Sequence, residues 1–531
     1  MLVLFVIIPL LIAVSLFVFS TNNAARILAI VFQAFFVFFS FYLFLISYGQ
    51  EVSTRIGPYD HYLGIHLRAY NISAVMILLT TVIFLAVAIY SYSVRDGDSR
   101  TFWFLLFILE TTLIGLFLTR DLFNLFVLVE VGTIIITLLL MYNRKKRNLY
   151  HGMVFIMINV VAMLFYLWGL GYLYSLVGVF DMALVTERVA LLDPSQLVLP
   201  YSLILTAIVF KCSLIPLYSF TPKTNLYVAA PSAVVAILSG VQIKTNVYLF
   251  FRLQEIFGDF SAHGFFLVLA VISSLAAVFM AITQSNIKLI LAFHTMSQVG
   301  LIMIGLSSGS EYSMLGGLYH IIAHGIFKSV LFLTAGIIYR TYGTENVYEI
   351  RGVMKRMPLV GVAMLFAVLG IMGAPLFIGF TSKYFIAYGV ASWVNVATIV
   401  ISLGTIISFI KYSGMLFGSW QGGVDYGAGE DGWRLVPVAF LGSLCLLGGI
   451  FGVFMINYLF YGDTSISFSG YLEKTGIFLA SYAVGYIIYK KVVYGNALLK
   501  KISGVSFSFK HVCASLGVLF GCLLAFTGFL S

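Results

Sequence analysis

Ten ionisable side chains of this sequence lie inside long apolar runs, for which hydrocarbon is the expected surrounding. An ionised group in the middle of a bilayer costs several kcal/mol, so such residues are rare and commonly line ion pathways. They are Glu110, Glu130, Lys211, Lys244, His294, His320, His324, Lys328, Lys383 and Lys411. We therefore expect the chemistry of this protein to be found among them.

The spacing of these residues places several of them deep in a membrane. Glu130 follows Asp121 by nine residues, or about 13 Å at about 1.5 Å per helical residue. His320, His324 and Lys328 are spaced i, i+4 and i+8. They therefore form one stripe about 12 Å long on a single helix face.

Prolines next to two of the lysines predict broken helices. Pro216 comes five residues after Lys211, and Pro375 comes eight residues before Lys383. A broken helix frees backbone carbonyls and admits water at membrane depth. Lys244, by contrast, lies in the centre of an apolar segment.

These residue types can pass protons to one another. Desolvation lowers the pKa of a buried lysine, and a nearby carboxylate raises it again. Histidine titrates near neutrality and can transfer protons through its two ring nitrogens. The pattern predicts a proton relay of Glu130, Lys211, Lys244, His320, His324, Lys328 and Lys383. Glu110, His294 and Lys411 are further candidate members.

Structural explanations exist for each residue singly. A lysine can extend to the membrane interface, a buried glutamate can pair with one neighbour, and histidines can join two helices by hydrogen bonds. A structural role requires one partner for each buried ionisable residue, whereas a proton relay requires a series of ionisable residues on several helices. The distribution of these residues over at least five apolar runs favours the relay.

Catalytic and cofactor sites find little support in the sequence. His320 and His324 have the spacing of a zinc protease helix, but Ile321 replaces the required glutamate. The four cysteines lie in apolar segments without CxxC spacing, which argues against a disulfide framework or an iron–sulfur cluster. We expect no catalytic residues, metal or cofactor in this chain.

The elements that must position the relay are membrane helices. Apolar residues make up 61% of the chain and charged residues only 9%, against about a quarter charged in soluble domains. Apolar runs occur at roughly 2–20, 25–48, 72–94, 101–119, 121–142, 150–176, 198–220, 228–251, 264–284, 287–307, 313–339, 357–391, 393–417, 434–457, 468–490 and 511–530. The predicted fold is an all-α polytopic membrane protein with about 14–16 transmembrane helices.

Loop charge predicts the orientation in the cell membrane. The net charge of +10 is scattered through short loops without aromatic interleaving, which fits membrane orientation and not nucleic-acid binding. Three basic loops, near 144–147, 340–356 and 490–510, fall on one face. Both termini are therefore predicted outside, with the acidic loop at 418–433 as the one misfit.

A short internal similarity suggests a duplication. Pro216-Leu217-Tyr218 with Phe220-Thr221 and Lys223 matches Pro375-Leu376-Phe377 with Phe380-Thr381 and Lys383. The offset spans about five helices, which predicts two five-helix repeats of opposite orientation with broken helices. The predicted regions are 1–100, the first repeat at 101–251, the second repeat at 264–417, and 418–531.

Several motifs together resemble one family, the antiporter-like subunits of Mrp-type Na+/H+ antiporters, respiratory complex I and membrane-bound hydrogenases. The match runs from about 110 to 415, and the D-type Mrp and hydrogenase branches are the most similar. The motifs are Asp121-Leu-Phe-Asn-Leu-Phe-Val-Leu-Val-Glu130, Phe210-Lys211, Lys244-Thr245, Leu291-Ala-Phe-His294, Ser297-Gln-Val-Gly300, His320-x3-His324-Gly-Ile-Phe-Lys328-Ser, Lys355-Arg-Met-Pro358 and Gly379-Phe-Thr-Ser-Lys383.

The resemblance implies roles for the residues that chemistry singled out. It implies a fourteen-helix core in which Glu130 and Lys211 form a modulating ion pair and Lys244 is the central proton carrier. It makes His320, His324 and Lys328 the connecting relay and Lys383 the terminal lysine. The chain departs from the family where an acid commonly precedes the third helix, since Tyr70 stands there. It also departs at Pro222-Lys-Thr-Asn225 and at Glu110.

The predicted function is proton translocation, with Na+ exchange left open, by one subunit of a multisubunit membrane complex. Its expected partners are lipid, protons and the other membrane subunits. Two settings remain open: an Mrp antiporter driven by ion gradients, and a redox-driven complex of hydrogenase or complex I type, in which this chain would be the pumping subunit without being catalytic itself. A scaffold subunit that has lost transport is the alternative of a different class.

Labelling of single cysteines tests the predicted orientation. In a cysteine-free background, an impermeant maleimide added outside should modify Glu187→Cys and spare Lys145→Cys, because basic loops stay in the cytoplasm. The reverse pattern would contradict the orientation.

Overall fold

The computed structural model describes residues 1–19, 23–57, 64–92, 99–142, 146–214, 226–419, 432–503 and 509–530. In chain order its helices are α1 (Leu4–Phe19), α2 (Asn23–Ile46), α3 (Asn71–Ser91), α4 (Ser99–Leu118), α5 (Leu122–Leu140), α6 (Lys146–Val177), α7 (Met182–Val189), α8 (Pro194–Lys211), α9 (Leu226–Ala229), α10 (Ser232–Phe257), α11 (His263–Thr283), α12 (Ile287–Ser307), α13 (Glu311–Tyr342), α14 (Val353–Arg356), α15 (Pro358–Met372), α16 (Ile378–Ile386), α17 (Ser392–Ser413), α18 (Gly432–Ile450), α19 (Gly452–Phe460), α20 (Phe468–Val493), α21 (Ala497–Ser503) and α22 (Phe509–Leu530). Its strands are β1 (Val52–Ile56) and β2 (Ile65–Ala69).

The membrane helices match the apolar runs of the sequence. Among the described residues, 14 helices are long and apolar enough to cross a membrane, and α1 and α15 are shorter apolar helices. Each corresponds to one predicted run, which confirms the all-α membrane fold class. The predicted break at Pro216 and the loop residues Arg144 and Lys145 lie outside the described residues.

A small hairpin was not predicted. β1 and β2 pair antiparallel, with Val52 opposite Ala69 and Ile56 opposite Ile65. The backbone N–H of Arg120 donates to the carbonyl of His66 at 3.0 Å, which joins the hairpin to the start of α5. The strands lie between apolar runs, at a position where the sequence shows no membrane-length pattern.

Three helices form the centre of the bundle. In α10, α12 and α13, between 89% and 94% of the membrane-length segment is buried, compared with 11% in α20. The central helices carry Lys244, His294 and the stripe of His320, His324 and Lys328. Because these helices are buried on nearly all sides, their polar residues face other helices and not lipid.

The break at Pro375 is present in the structure. α15 ends at Gly373, which has φ 80° and therefore the left-handed conformation that glycine tolerates. α16 begins at Ile378, and a Cβ atom on Gly379 would overlap the carbonyl oxygen of Gly370. Glycine at 379 thus allows the two half-helices to touch.

The same backbone bridge occurs twice. Asp121 pairs with Asp181, and Asn286 pairs with Asn346. Both residues of the second bridge lie 165 positions after the corresponding residues of the first. In both cases the bridge holds the start of a long helix: Asp121 caps α5 and Asn286 caps α12 through their side chains.

The two bridges lie on opposite faces of the bundle. Lys288 donates to the carbonyl of Val228 at 3.0 Å, so the Asn286 bridge is next to the start of α10. Arg252, near the other end of α10, contacts Met182 beside the Asp181 bridge. We refer to the face of the Asp121–Asp181 bridge as face A.

The contact at Gly379 generates a stability prediction. Gly379→Ala should lower the thermal stability of the complex, because overpacking against backbone costs about 1–3 kcal/mol. Gly171→Ala is the matched control, since a Cβ there meets nothing within 4 Å. Size-exclusion profiles after heating measure both variants; equal stability would show that the two half-helices do not pack this closely.

Candidate functional site

Glu130 and Lys211 form a buried ion pair between α5 and α8. Lys211 Nζ lies 3.6 Å from Glu130 Oε1 and donates to Thr133 Oγ1 at 2.8 Å. The lysine side chain is 4% exposed and the glutamate side chain 20% exposed. The ammonium is therefore shared between a carboxylate at long distance and a hydroxyl at short distance, an arrangement that small movements can open.

Lys244 lies in the centre of the bundle beside a distorted turn. The turn Leu238–Gln242 of α10 is a π-helix, and Lys244 Nζ donates to the carbonyl oxygen of Ser239 within it. Asn246, two residues later, donates to the carbonyl of Lys211 at 3.1 Å. Backbone contacts thus join the surroundings of Lys244 to the end of α8.

Two glycines bring Lys244 close to the histidine helix. Cβ atoms built on Gly240 and Gly325 would each lie near the other residue's carbonyl oxygen, at 3.4 Å and 3.1 Å. α10 and α13 therefore cross at backbone contact next to His324. The electrostatic neighbours of His324 are Lys244, Lys328, His320 and His294.

His320 and His324 stack along α13. Their ring centroids are 6.2 Å apart with an interplanar angle of 8°. His324 is fully buried, and its two ring nitrogens have no hydrogen-bond partner among the described residues. Both nitrogens are thus free to exchange a proton with a mobile donor or acceptor.

His320 is linked to the broken helix by a serine. Its Nε2 lies 3.1 Å from Gln298 Oε1 and its Nδ1 lies 2.8 Å from Ser382 Oγ. The Ser382 hydroxyl also reaches the carbonyl of Gly379 at 3.2 Å. With Nε2–H donating to the amide oxygen, a neutral His320 accepts from Ser382, whereas a protonated His320 donates to it and turns the hydroxyl toward Gly379.

Lys383 caps the helix that precedes it. Its Nζ donates to the carbonyls of Ile371 at 2.7 Å and Met372 at 3.4 Å, at the end of α15. Helix C-terminal carbonyls carry partial negative charge and favour a cation. The break at Pro375 therefore creates the acceptors that hold the ammonium.

Lys328 and Lys411 have similar partners. Lys328 Nζ donates to the carbonyl of Leu291 at 2.6 Å. Lys411 Nζ donates to Gln284 O at 2.6 Å and to Ile282 O at 2.7 Å, at the end of α11. His294 lies between them, with Lys328, Lys411 and Lys383 as its electrostatic neighbours.

Carbonyl partners distinguish these lysines from Lys211. Among the described ion pairs, only Lys211 of the predicted relay lysines has a carboxylate partner, whereas Lys244, Lys328, Lys383 and Lys411 donate to backbone oxygens. A neutral acceptor is not left as an unpaired charge when the lysine loses its proton. Such lysines can alternate between charged and neutral forms without leaving a buried anion unpaired.

Glu110 lies apart from this chain of contacts. It is fully buried, and its Oε1 accepts from Gln33 Nε2 at 2.5 Å; the same amide reaches the carbonyl of Thr81 at 3.3 Å. The glutamate therefore joins α4 to α2 and α3. This hydrogen bonding leads toward the first helices of the chain and away from the predicted relay residues.

Three linking residues were not predicted from the sequence: Thr133, Gln298 and Ser382. Each is a neutral polar side chain that bridges two ionisable groups or orients one. Helical spacing offers one signal, since Thr133 is one turn from Glu130 and Ser382 adjoins Lys383. Gln298 and Ser382 also lie in motifs that carry the family resemblance, but the contact of Gln298 with His320 depends on the packing of α12 against α13.

Comparison with known proteins identifies the family of this chain. Residues 119–408 match the family described as NADH:quinone oxidoreductase/Mrp antiporter, TM. The D-type subunit of a Na+/H+ antiporter from Alkalihalophilus pseudofirmus is 27% identical over 392 residues, which cover 72% of this chain and 79% of that protein. The N-type subunit of the NADH-quinone oxidoreductase of Desulforudis audaxviator is 30% identical over 387 residues, which cover 68% and 76%.

Solved structures share the fold. A chain of the Mrp complex from a Dietzia species has a TM-score of 0.79 at 23% identity, covering 92% of this chain and 98% of that chain. A chain of an archaeal membrane-bound sulfane sulfur reductase has a TM-score of 0.80 at 22% identity, covering 91% and 99%. The family match spans more than half of the sequence and contains all seven predicted relay residues, whereas the further candidates Glu110 and Lys411 lie outside it. The chain therefore belongs to the NADH:quinone oxidoreductase/Mrp antiporter family of membrane subunits.

Proposed function

We propose that this chain is a proton-translocating subunit of a multisubunit membrane complex, with a relay from Glu130 to Lys383. The observation that supports it most strongly is the series of buried lysines held by neutral carbonyls, with histidines between them. A structural network would pair each ammonium with an acid. A carrier must instead be stable both with and without its proton.

The Glu130–Lys211 pair acts as the switch. When it is closed, Glu130 offsets the charge of Lys211. When it opens, Lys211 is an uncompensated cation at the end of α8, which contacts the helix that carries Lys244. Like charges in a low-dielectric interior repel strongly. The opened pair thus drives the proton from Lys244 toward His324.

The histidines carry the proton onward. His324 receives it from Lys244 across the Gly240–Gly325 contact and passes it to His320. His320 gives its Nδ1 proton to the Ser382 oxygen while the Ser382 hydroxyl releases its own proton on the side of Gly379, and the neutral amine of Lys383 takes up that proton at the break between α15 and α16. Lys328, His294 and Lys411 form a side branch toward the end of α11.

The repeats and the orientation remain part of this proposal. The two bridges 165 residues apart, on opposite faces, support two inverted repeats near 101–251 and 264–417. With the basic loop before α6 inside, face A is the outer face, and an even number of crossings places both termini there as well.

Partners are proposed from the relatives and from exposed apolar surface. The similar solved chains come from an Mrp complex and from a sulfane sulfur reductase described as an archaeal respiratory membrane complex. In α20 only 11% of the membrane-length segment is buried, and in α22 28%. These flanking helices fit docking of other membrane subunits or lipid. Whether Na+ is exchanged depends on which assembly the chain joins.

The central carrier is tested at Lys244. Lys244→Met should abolish driven proton transport in membrane vesicles while the complex still assembles. Lys244→Arg should be nearly as damaging, because a guanidinium keeps its proton. Lys355→Met, at an exposed lysine of the short helix α14, is the control and should transport normally. Substantial transport by Lys244→Arg would indicate an electrostatic role without proton transfer.

The switch is tested by a double-mutant cycle on Glu130 and Lys211. Removing one partner of a buried pair costs about 3–5 kcal/mol, so Glu130→Gln and Lys211→Met should each impair transport strongly. Glu130→Asp keeps the charge on a shorter side chain and should retain part of the activity. The double variant should be no worse than either single one, since both act on one switch.

Transport rates and assembly levels measured together decide the outcome. Normal transport by an assembled Glu130→Gln complex would exclude the switch, and additive losses in the double variant would show that the two residues act independently.

A further inference from the structure

A polar cavity opens on face A beside the outer end of α10. Its volume is about 650 Å³, and its charged lining residues are Glu51, Arg68, Arg120, Arg252 and Glu255. We call it the vestibule. It is lined by the end of α2, the start of α3, the hairpin and the end of α19, outside the contacts of the relay.

An arginine and two tyrosines lie between the vestibule and the interior. Arg252 Nη1 donates to Tyr70 Oη at 2.7 Å and to Tyr248 Oη at 3.2 Å, and the two phenol oxygens are 3.0 Å apart. Arg252 and Tyr248 are buried, with 4% and 2% exposed. The three side chains form one hydrogen-bonded cluster, and the Tyr248 hydroxyl also reaches the carbonyl of Phe117 at 3.4 Å.

This cluster lies on the helix that carries Lys244. Tyr248 and Arg252 are four and eight residues after Lys244 on α10, so the three residues share one face within about 12 Å. Tyr70 lines the vestibule and contacts Tyr248 and Arg252 from the side of the cavity. The interior carrier and the outer cavity are thus separated by two phenols and one guanidinium.

We propose that Arg252, Tyr70 and Tyr248 form a gated proton exit from Lys244 to the vestibule, in which Arg252 is the gate. This inference rests on the proposed function, because it gives Lys244 a second outlet besides the histidines. For the transfer, Lys244 Nζ leaves the carbonyl of Ser239 and turns toward Tyr248, one helical turn further along α10. Each step then balances: Lys244 gives a proton to the oxygen of Tyr248, Tyr248 gives its own to Tyr70, and Tyr70 gives its own to water in the vestibule.

The guanidinium closes this path in the structure as it stands. It cannot release its proton, and it donates to both phenol oxygens. Those oxygens are therefore occupied as acceptors, and the fixed positive charge opposes a further proton in a buried setting. Burial also raises the pKa of Tyr70, which keeps it a neutral phenol able both to donate and to accept.

Glu255 is the partner that would hold the Arg252 guanidinium away from the phenols when the gate is open. Its Oε2 lies 3.1 Å from Arg252 Nε, and its side chain is 51% exposed toward the vestibule. A guanidinium drawn fully onto Glu255 would leave the two phenol oxygens free. The other charged residues of the vestibule are Arg68, which pairs with Glu51, and Arg120, whose guanidinium lies 5.9 Å from the centre of the Tyr70 ring.

The gate is tested by proton leak in membrane vesicles that contain the whole complex. After an acid pulse without a driving reaction, Arg252→Gln should conduct protons severalfold faster than the wild type, whereas Arg252→Lys, which keeps the charge, should leak less. Arg68→Gln removes the same charge from the vestibule but leaves both hydrogen bonds from Arg252 to the phenol oxygens in place, and should not leak. Equal conductance of an assembled Arg252→Gln complex and the wild type would overturn the gate.

Two further variants test the path. Tyr248→Phe should slow driven transport without any leak, because it removes a hydroxyl and leaves the gate charge in place; normal transport would overturn the path. Combining Lys244→Met with Arg252→Gln should abolish the leak. A leak that persists would show that the vestibule does not communicate with Lys244, while inactivity of Lys244→Met alone would still support the relay.

Discussion

The cost of burying positive charge without a counter-anion determines much of this structure. Lys244, Lys328, Lys383 and Lys411 are buried or nearly so, and backbone carbonyls accept their hydrogen bonds. A carbonyl dipole stabilises an ammonium, and it leaves no unpaired charge when the lysine is neutral. A buried carboxylate also stabilises the ammonium, but it becomes an unpaired charge when the lysine loses its proton. The choice of acceptor therefore separates the lysines that can discharge from Lys211, which is held by Glu130.

For three of these lysines the accepting carbonyls lie where a regular helix ends or is distorted, whereas the acceptor of Lys328, Leu291, lies inside α12. Lys383 uses the end of α15 at the Pro375 break, Lys411 uses the end of α11, and Lys244 uses a π-turn of its own helix. In a regular α-helix these oxygens would be occupied by amides four residues later. Helix irregularity is thus part of the site and is shielded from lipid by neighbouring helices.

α10 unites the parts of the proposed mechanism. Gly240 allows contact with the histidine helix, Asn246 contacts the end of α8, and Arg252 lies at the vestibule. In the proposed mechanism, Lys244 in its centre has an input from the ion pair and two outlets, one along the membrane plane and one toward face A. A carrier with two outlets needs a gate on one of them, and Arg252 has the charge and position for that role.

The sequence alone identified the ionisable side chains whose burial in a membrane costs free energy, because a charge within an apolar run is unfavourable in any fold. These side chains are the candidates for function. Hydropathy predicted the helices, and Pro375 predicted the break. Tertiary structure decided how these residues connect. Glu110 and Glu130 look alike in sequence, yet one binds Gln33 and the other approaches Lys211. Ser382, Gln298 and the Arg252 cluster depend on contacts between helices distant in the chain. Helical periodicity fixes only the positions within one helix, so those contacts could not be read from it.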